Sequence, residues 1–230
     1  MMIVCGGIKG GTGKTTIATN LATHRARTHD VLLVDADEQG SATIFTGIRK
    51  SEWPDLPQFT SIILRDEQVR RELERMTSRY DDVIIDTGGR DTRSQRAGLS
   101  IADILLLPFN PRSLDIWTIE NVEVLLKEIW SINPNLKAIS LLNRADVQGS
   151  DNADTIEILS DLDGITYAGV SLVNRKAYGR AVAQGLSVWE LKQRDQKAEQ
   201  EALALFQYIF NSTIEPLQND NDRKMELSDG

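Results

Sequence analysis

The run Gly7-Ile-Lys-Gly-Gly-Thr-Gly-Lys-Thr-Thr16 constrains this chain more than any other ten residues. It follows Met2-Ile-Val-Cys-Gly6, which reads as a short buried strand, and leads into a stretch from Lys14 to Thr28 that reads as helix. Strand, glycine-rich turn and helix in that order make a phosphate loop. The glycines let successive backbone N–H groups turn inward on phosphate oxygens, and the helix N-terminus adds its positive dipole end. In such a loop the lysine before the hydroxyl residue, Lys14, reaches the β- and γ-phosphates, and the Thr15 hydroxyl ligates Mg²⁺. Gly10, Gly11, Thr12, Gly13, Lys14, Thr15 and Thr16 are the expected nucleotide-binding residues. There is one departure: the strict G-x-x-x-x-G-K-[ST] pattern needs glycine where this chain has Ile8.

Around the loop, apolar strands alternate with helical stretches. Strands are predicted over 31–35, 59–64, 83–86, 104–108, 138–143 and 166–172. Helices are predicted over 41–50, 66–79, 113–130 with Ser113 as N-cap, 151–162, 175–183 and 195–210. Residues 53–58 carry two prolines and read as loop. Alternation of this kind implies an α/β fold, a mostly parallel twisted sheet flanked by helices, as in a P-loop NTPase. No linker splits the chain, so one domain over residues 1–210 is expected. Residues 211–230 hold five acids against two bases and little apolar character, and read as a disordered acidic tail.

A phosphate loop alone does not hydrolyse a nucleotide. Magnesium and a water must also be placed, and carboxylates at strand ends do this. Val83-Ile-Ile-Asp86 supplies one such end, where Asp86 would hold Mg²⁺ through water, and Thr87-Gly-Gly89 after it gives the next loop freedom to move. A second carboxylate-bearing end is Val34-Asp-Ala-Asp-Glu-Gln-Gly40. Asp35 and Asp37 there also read as caps for the helix that starts near Ser41.

Lys9-Gly-Gly-Thr-Gly-Lys-Thr15, with two lysines on one loop, resembles the deviant Walker A motif of the ParA/MinD ATPases, and the resemblance runs over roughly residues 2–210. It implies that Lys9 crosses to the ATP of the partner subunit in a sandwich dimer. It also implies that Asp35 lies near the metal's water shell and that Asp37 positions the attacking water, since Asp35 to Gly40 resembles the family's D-x-D-P-Q-G, with Glu38 in place of proline. Leu141-Leu-Asn-Arg144 resembles the strand end whose asparagine contacts adenine, which places Asn143 at the base; a turn asparagine is the plainer reading. Residues 108–115 resemble the family's P-x-x-P-S rim and are taken as structural.

The same resemblance implies ATP-driven dimerisation, nonspecific DNA binding by the ATP dimer and stimulation by a ParB-like adaptor, hence a plasmid or chromosome partition ATPase, cytoplasmic and nucleoid-associated with ATP bound. Charge bears on the DNA expectation. The chain carries 26 Lys+Arg against 34 Asp+Glu, a net −8, which argues against a surface coated for nucleic acid. Yet Arg175, Lys176, Arg180, Lys192, Arg194 and Lys197 meet only Glu190 and Asp195 between residues 174 and 197. That strip suits phosphate contacts, or is simply a solvated helix face.

Other residues narrow the choice. A single cysteine, Cys5, excludes an intrachain disulfide and speaks against a cluster-bearing electron carrier. His24 and His29 read as dipole partners at the end of the first helix, and Trp117 and Trp130 as packing. With only Met1 before the first strand, no operator-reading helix-turn-helix is expected. The acidic, polar end argues against a membrane-targeting helix, no apolar run reaches the roughly 18 residues of a membrane span, and no basic signal sequence opens the chain. Two further functions stay open: a ParA-like ATPase that positions a protein cargo on the nucleoid, and a metabolic P-loop enzyme of the dethiobiotin synthetase kind.

Overall fold

Strands that are apolar along their whole length need cover on both faces, and the helices divide to supply it. A computed structural model describes residues 1–90, 92–111, 116–147 and 150–211. Seven strands, β1 (Met2–Cys5), β2 (Val31–Asp35), β3 (Thr60–Ile63), β4 (Asp82–Asp86), β5 (Ile104–Phe109), β6 (Lys137–Ala145) and β7 (Ile165–Val173), form one sheet in the order β3-β2-β4-β1-β5-β6-β7. Every neighbouring pair is parallel. Among the described residues eight α-helices accompany them: α1 (Lys14–Arg25), α2 (Ser41–Glu52), α3 (Glu67–Met76), α4 (Arg93–Leu99), α5 (Ile116–Trp130), α6 (Asp151–Ser160), α7 (Lys176–Ala183) and α8 (Gln196–Asn211).

Side chains alternate across β1 in the period of two that a strand dictates. Ile3 and Cys5 enter one core with Ile17 and Leu21 of α1, Phe45 of α2, Ala181 of α7 and Phe206 of α8. Met2 and Val4 enter the other with Val69 and Leu73 of α3, Leu99 of α4, Leu126 of α5 and Leu159 of α6. The sheet is thus wound on both sides, with β1 at the reversal: β4 pairs on one edge of it and β5 on the other. Crevices at such reversals, beyond the carboxyl ends of the strands, are where ligands bind in this architecture. Register delivers the motifs to that crevice. Cys5 pairs with Asp86, and Asp86 with Asp35, so three neighbouring strands end together.

Several expectations change. α1 stops at Arg25, leaving His24 in its last turn and His29 beyond it. α4 is a separate seven-residue helix, begun by the Thr92 hydroxyl accepting from Gln95 N at 3.1 Å. Asn211, expected to begin the tail, closes α8. Trp130 does pack: its ring lies where a Cβ on Gly164 would sit, and its Nε1 donates to Leu136 O at 2.9 Å. Trp117, the second residue of α5, is 78% exposed and packs nothing comparable. The Ser113 cap and the tail over 212–230 lie outside the described residues.

Candidate functional site

The phosphate loop leaves β1 and enters α1 through glycines that no other residue replaces without strain. Gly11 has φ 76° and Gly13 φ 93°, both in the left-handed region that disfavours a Cβ. At Gly13 a Cβ would also lie 2.2 Å from Asn143 Nδ2. Lys14, the first residue of α1, is buried, and its ammonium donates to Lys9 O at 3.0 Å, so the two lysines of the motif are joined across the loop. Burial lowers the Lys14 pKa from its ordinary value, opposed by the negative charges of Asp86 and Asp37. Lys9 itself is half-buried.

Asp86 is fully buried at the end of β4, and neither of its carboxylate oxygens has a hydrogen bond. Its neighbours act on its charge. Burial pushes its pKa from 3.8 up to about 7; the Thr15 hydroxyl facing it favours the ionised form, Asp35 and Asp37 oppose it, and the Lys14 ammonium favours it. A buried carboxylate with both oxygens open, beside a threonine hydroxyl and a lysine, suits a hard cation that keeps most of its shell as water and phosphate oxygen. Mg²⁺ is bound in that way, through one or two protein groups. Asp35 differs. Its Oδ2 accepts from Thr43 N at 2.7 Å and Thr43 Oγ1 at 2.6 Å, and its Oδ1 accepts from Asp37 N at 3.2 Å. Fully buried, it holds the first turn of α2, as the capping reading had it.

Asp37 lies on the loop between β2 and α2. Its Oδ1 accepts from Gln39 N at 3.2 Å, and Gly88, after β4, lies close enough that a Cβ there would come within 3.2 Å of the same oxygen. Together Gly10, Asp37, Glu38, Arg65, Gly88 and Gly89 line part of a cleft of about 610 Å³. Gly89 packs directly on the phosphate loop, where a Cβ would fall 2.4 Å from Gly10 Cα. The loops after β1, β2 and β4 therefore touch one another.

Two residues that make these contacts were not singled out in the sequence. Gln95 of α4, fully buried, accepts from Gly7 N at 3.0 Å and from Thr87 Oγ1 at 3.0 Å, tying α4 to the root of the phosphate loop. Arg65, just past β3, donates through Nη2 to Asp37 O at 2.7 Å and through Nη1 to Asp35 O. No local pattern marks either, since Gly7 lies 88 residues from Gln95, and Asp35 and Asp37 lie 28–30 residues from Arg65. Asn143, expected at the adenine, lies against the phosphate loop, where its amide donates to Thr12 O at 2.5 Å.

The basic strip runs from Arg175, the N-cap of α7, through α7 and the segment after it to Lys197 at the start of α8, away from this crevice in sequence. Arg175 binds Glu201 at 2.7 Å, and Arg194 binds Glu199 through Nε at 2.7 Å. Both acids lie just past the window over which the charge was counted. Arg180 donates to Gln193 at 2.9 Å, and Lys176, Arg180, Lys192 and Lys197 are exposed. No helix among the described residues is long and apolar enough to cross a membrane.

Comparison with known proteins agrees with this geometry. The chain is 28% identical over 209 residues, 89% of its length and 94% of the relative's, to maintenance of carboxysome distribution protein A of Halothiobacillus neapolitanus. It is 33% identical over 186 residues, 78% of its length and 80% of the relative's, to the protein of that name from Gloeobacter kilaueensis. Its fold matches an ATP complex of a McdA variant from Cyanothece with a TM-score of 0.72 at 18% identity, over 94% of this chain and 98% of that one. Residues 3–188, which contain the phosphate loop and all three strand-end carboxylates, match the CobQ/CobB/MinD/ParA nucleotide binding domain, and the chain belongs to that family.

Proposed function

We propose that this chain is a Mg²⁺-dependent ATPase whose ATP-bound dimer positions a protein cargo on the nucleoid through an adaptor. Asp86 carries the hydrolytic half of this reading: a fully buried carboxylate with both oxygens unpartnered, facing Lys14 and Thr15. In this reading Thr15 and Asp86 hold Mg²⁺, which when bound offsets charge on the β- and γ-phosphates. Lys14 and the amides of Gly10 to Thr16 bind the phosphates. Asp37 orients the attacking water and takes up its proton, Asp35 keeps the Asp37 loop in place, and Asn143 supports Thr12 beneath the base. Lys9 reaches the nucleotide of a second copy, so that ATP joins two chains.

The choice of cargo draws on the two curated relatives, both named for carboxysome distribution. They favour a protein assembly over the plasmid or chromosome that the motifs alone suggest. Lys176, Arg180, Lys192 and Lys197 are the proposed phosphate contacts to DNA, with Arg175 and Arg194 contributing less because acids already hold them.

Three measurements test this together. Wild type should hydrolyse Mg·ATP slowly, and Lys9→Ala should keep ATP binding but lose ATP-driven dimerisation by light scattering. DNA retention should require ATP and fall with salt, with a log–log slope of about −4 to −5 for roughly five phosphate contacts per dimer. Affinity capture of the adaptor from the native host should bring down an adaptor that binds a protein assembly. Capture of a centromere-binding protein instead returns the function to DNA segregation. Retention indifferent to nucleotide rejects both readings.

A further inference from the structure

Ala36 N ties the start of the loop that carries Asp37 to Asp86 O of β4 at 2.8 Å; beyond it, residues 37–40 make only short-range bonds of their own. Asp37 N donates to Asp35 Oδ1, Gln39 N to Asp37 Oδ1 at 3.2 Å, and Gly40 N to Asp37 O at 3.0 Å. A four-residue turn of this kind is weakly held by itself. Past the Ala36–Asp86 bond, what holds it from outside is a guanidinium. Arg65 Nη2 meets Asp37 O at 2.7 Å, Nη1 meets Asp35 O and also Leu64 O at 3.1 Å, and Asp35 Oδ1 lies 3.9 Å from Nη1. Arg65 thus spans the two carbonyls that bracket Ala36, and its five rigidly arranged donors suit that span. The next residue extends the link. Asp66 N donates to Ser94 Oγ of α4 at 2.8 Å, with Asp66 held at φ 48°, a conformation rare outside glycine. The dipeptide Arg65-Asp66 therefore touches both walls of the cleft, the Asp37 loop on one side and the helix after Gly88-Gly89 on the other.

We infer that Arg65 is a positioning residue that holds Asp37 on its line to the attacking water, and that Arg65-Asp66 couples the loop after β2 to α4. The inference rests on the reading of Asp37 given above, and it concerns a residue outside all three motifs. Arg65 acts through backbone carbonyls, so it leaves the phosphate-binding residues untouched. Removing it should slow hydrolysis without weakening nucleotide binding.

The experiment is hydrogen exchange on ligand-free protein, alongside single-turnover hydrolysis and an ATP binding constant, for Arg65→Met, Arg65→Lys and Ser94→Ala. Arg65→Met keeps the length of the stem and removes the donors. It should speed exchange of the Asp37, Gln39 and Gly40 amides by about 10–100-fold, the range expected for losing bonds from a charged donor. It should lower the hydrolysis rate about tenfold, with the ATP binding constant within twofold of wild type. Arg65→Lys, which keeps one charged donor, should recover part of both effects. Ser94→Ala should speed exchange at Asp66. Unchanged exchange over 37–40 in Arg65→Met overturns the positioning role, whatever happens to hydrolysis. Faster exchange with hydrolysis unchanged shows that Asp37 does not aim the water, and overturns the functional reading of the contact while leaving the contact itself in place.

Discussion

Replacing Asp86 by asparagine keeps the shape of the side chain and removes its charge, so it isolates the cost of burying a carboxylate with no hydrogen bond. Burial pushes the Asp86 pKa from 3.8 to about 7 in the folded chain. Between those two pH values the folded state binds a proton that the unfolded state has released. Stability from this group is therefore greatest below pH 3.8, falls as pH rises through the window, and levels off above about 7. At about 1.4 kcal/mol per pH unit the full penalty is about 4 kcal/mol. Asparagine carries none of it. In nucleotide-free buffer with chelator, Asp86→Asn should be more stable than wild type by up to about 4 kcal/mol at pH 8, or about 8–16 °C in Tm for a chain of this size. At pH 5 less than half of that advantage remains. Calorimetric melts at the two pH values measure it. Equal Tm at pH 8, or the same advantage at both pH values, would refute the argument that desolvation governs this residue. The gain should come at the expense of function: Mg·ATP should raise the Tm of wild type and leave that of Asp86→Asn nearly unchanged.

Three further substitutions test the architecture around the site. Gly13→Ala forces a Cβ to φ 93° and to within 2.2 Å of Asn143 Nδ2, so nucleotide-induced stabilisation should vanish; adding Asn143→Ala should relieve only the clash, and full recovery in the double variant would show that backbone strain is unimportant there. Glu190→Ala removes the counter-charge of Arg49, a fully buried guanidinium bonded to both Glu190 oxygens at 2.8 and 3.0 Å, and urea unfolding should show a loss of about 3–5 kcal/mol. Asp66→Gly relaxes φ 48° at an exposed site while keeping the N–H that Ser94 accepts, so the same assay should show a gain of about 1 kcal/mol; a loss would mean that the Asp66 side chain contributes an interaction of its own.

Residues marked by a local pattern are readable in the sequence alone. The glycines of the phosphate loop, Lys14, Thr15 and the strand-end position of Asp86 follow from local spacing, and each strand and most helices lie within a few residues of their expected bounds. Helix α4 was not set apart because seven residues after Gly88-Gly89 give too short a stretch for periodicity to register. Asp35 has two uses in sequence, and the placement of Thr43 over its carboxylate, which ties it to the first turn of α2, is legible only in the fold. The basic strip looked stronger in sequence than in space. Glu199 and Glu201 fall outside any window centred on it, yet α8 brings them to Arg194 and Arg175.

By itself the sequence determined the local chemistry: a glycine-rich turn that presents amides to phosphate, a lysine and a hydroxyl at the start of a helix, and apolar runs that must be buried on both sides. These depend on backbone conformation and side-chain type within about ten residues. The tertiary structure decided which of the strand-end carboxylates stays open. Parallel register set Asp35 beside Asp86, α2 then satisfied one with Thr43, and the other was left facing Thr15 and Lys14 of the phosphate loop. It also brought Arg65 and Gln95 to the loops they hold, across 28 to 88 residues of chain. Sequence patterns register what neighbours along the chain impose. A hydrogen bond closed between distant strands depends on how the whole sheet is ordered, and only the folded chain specifies that.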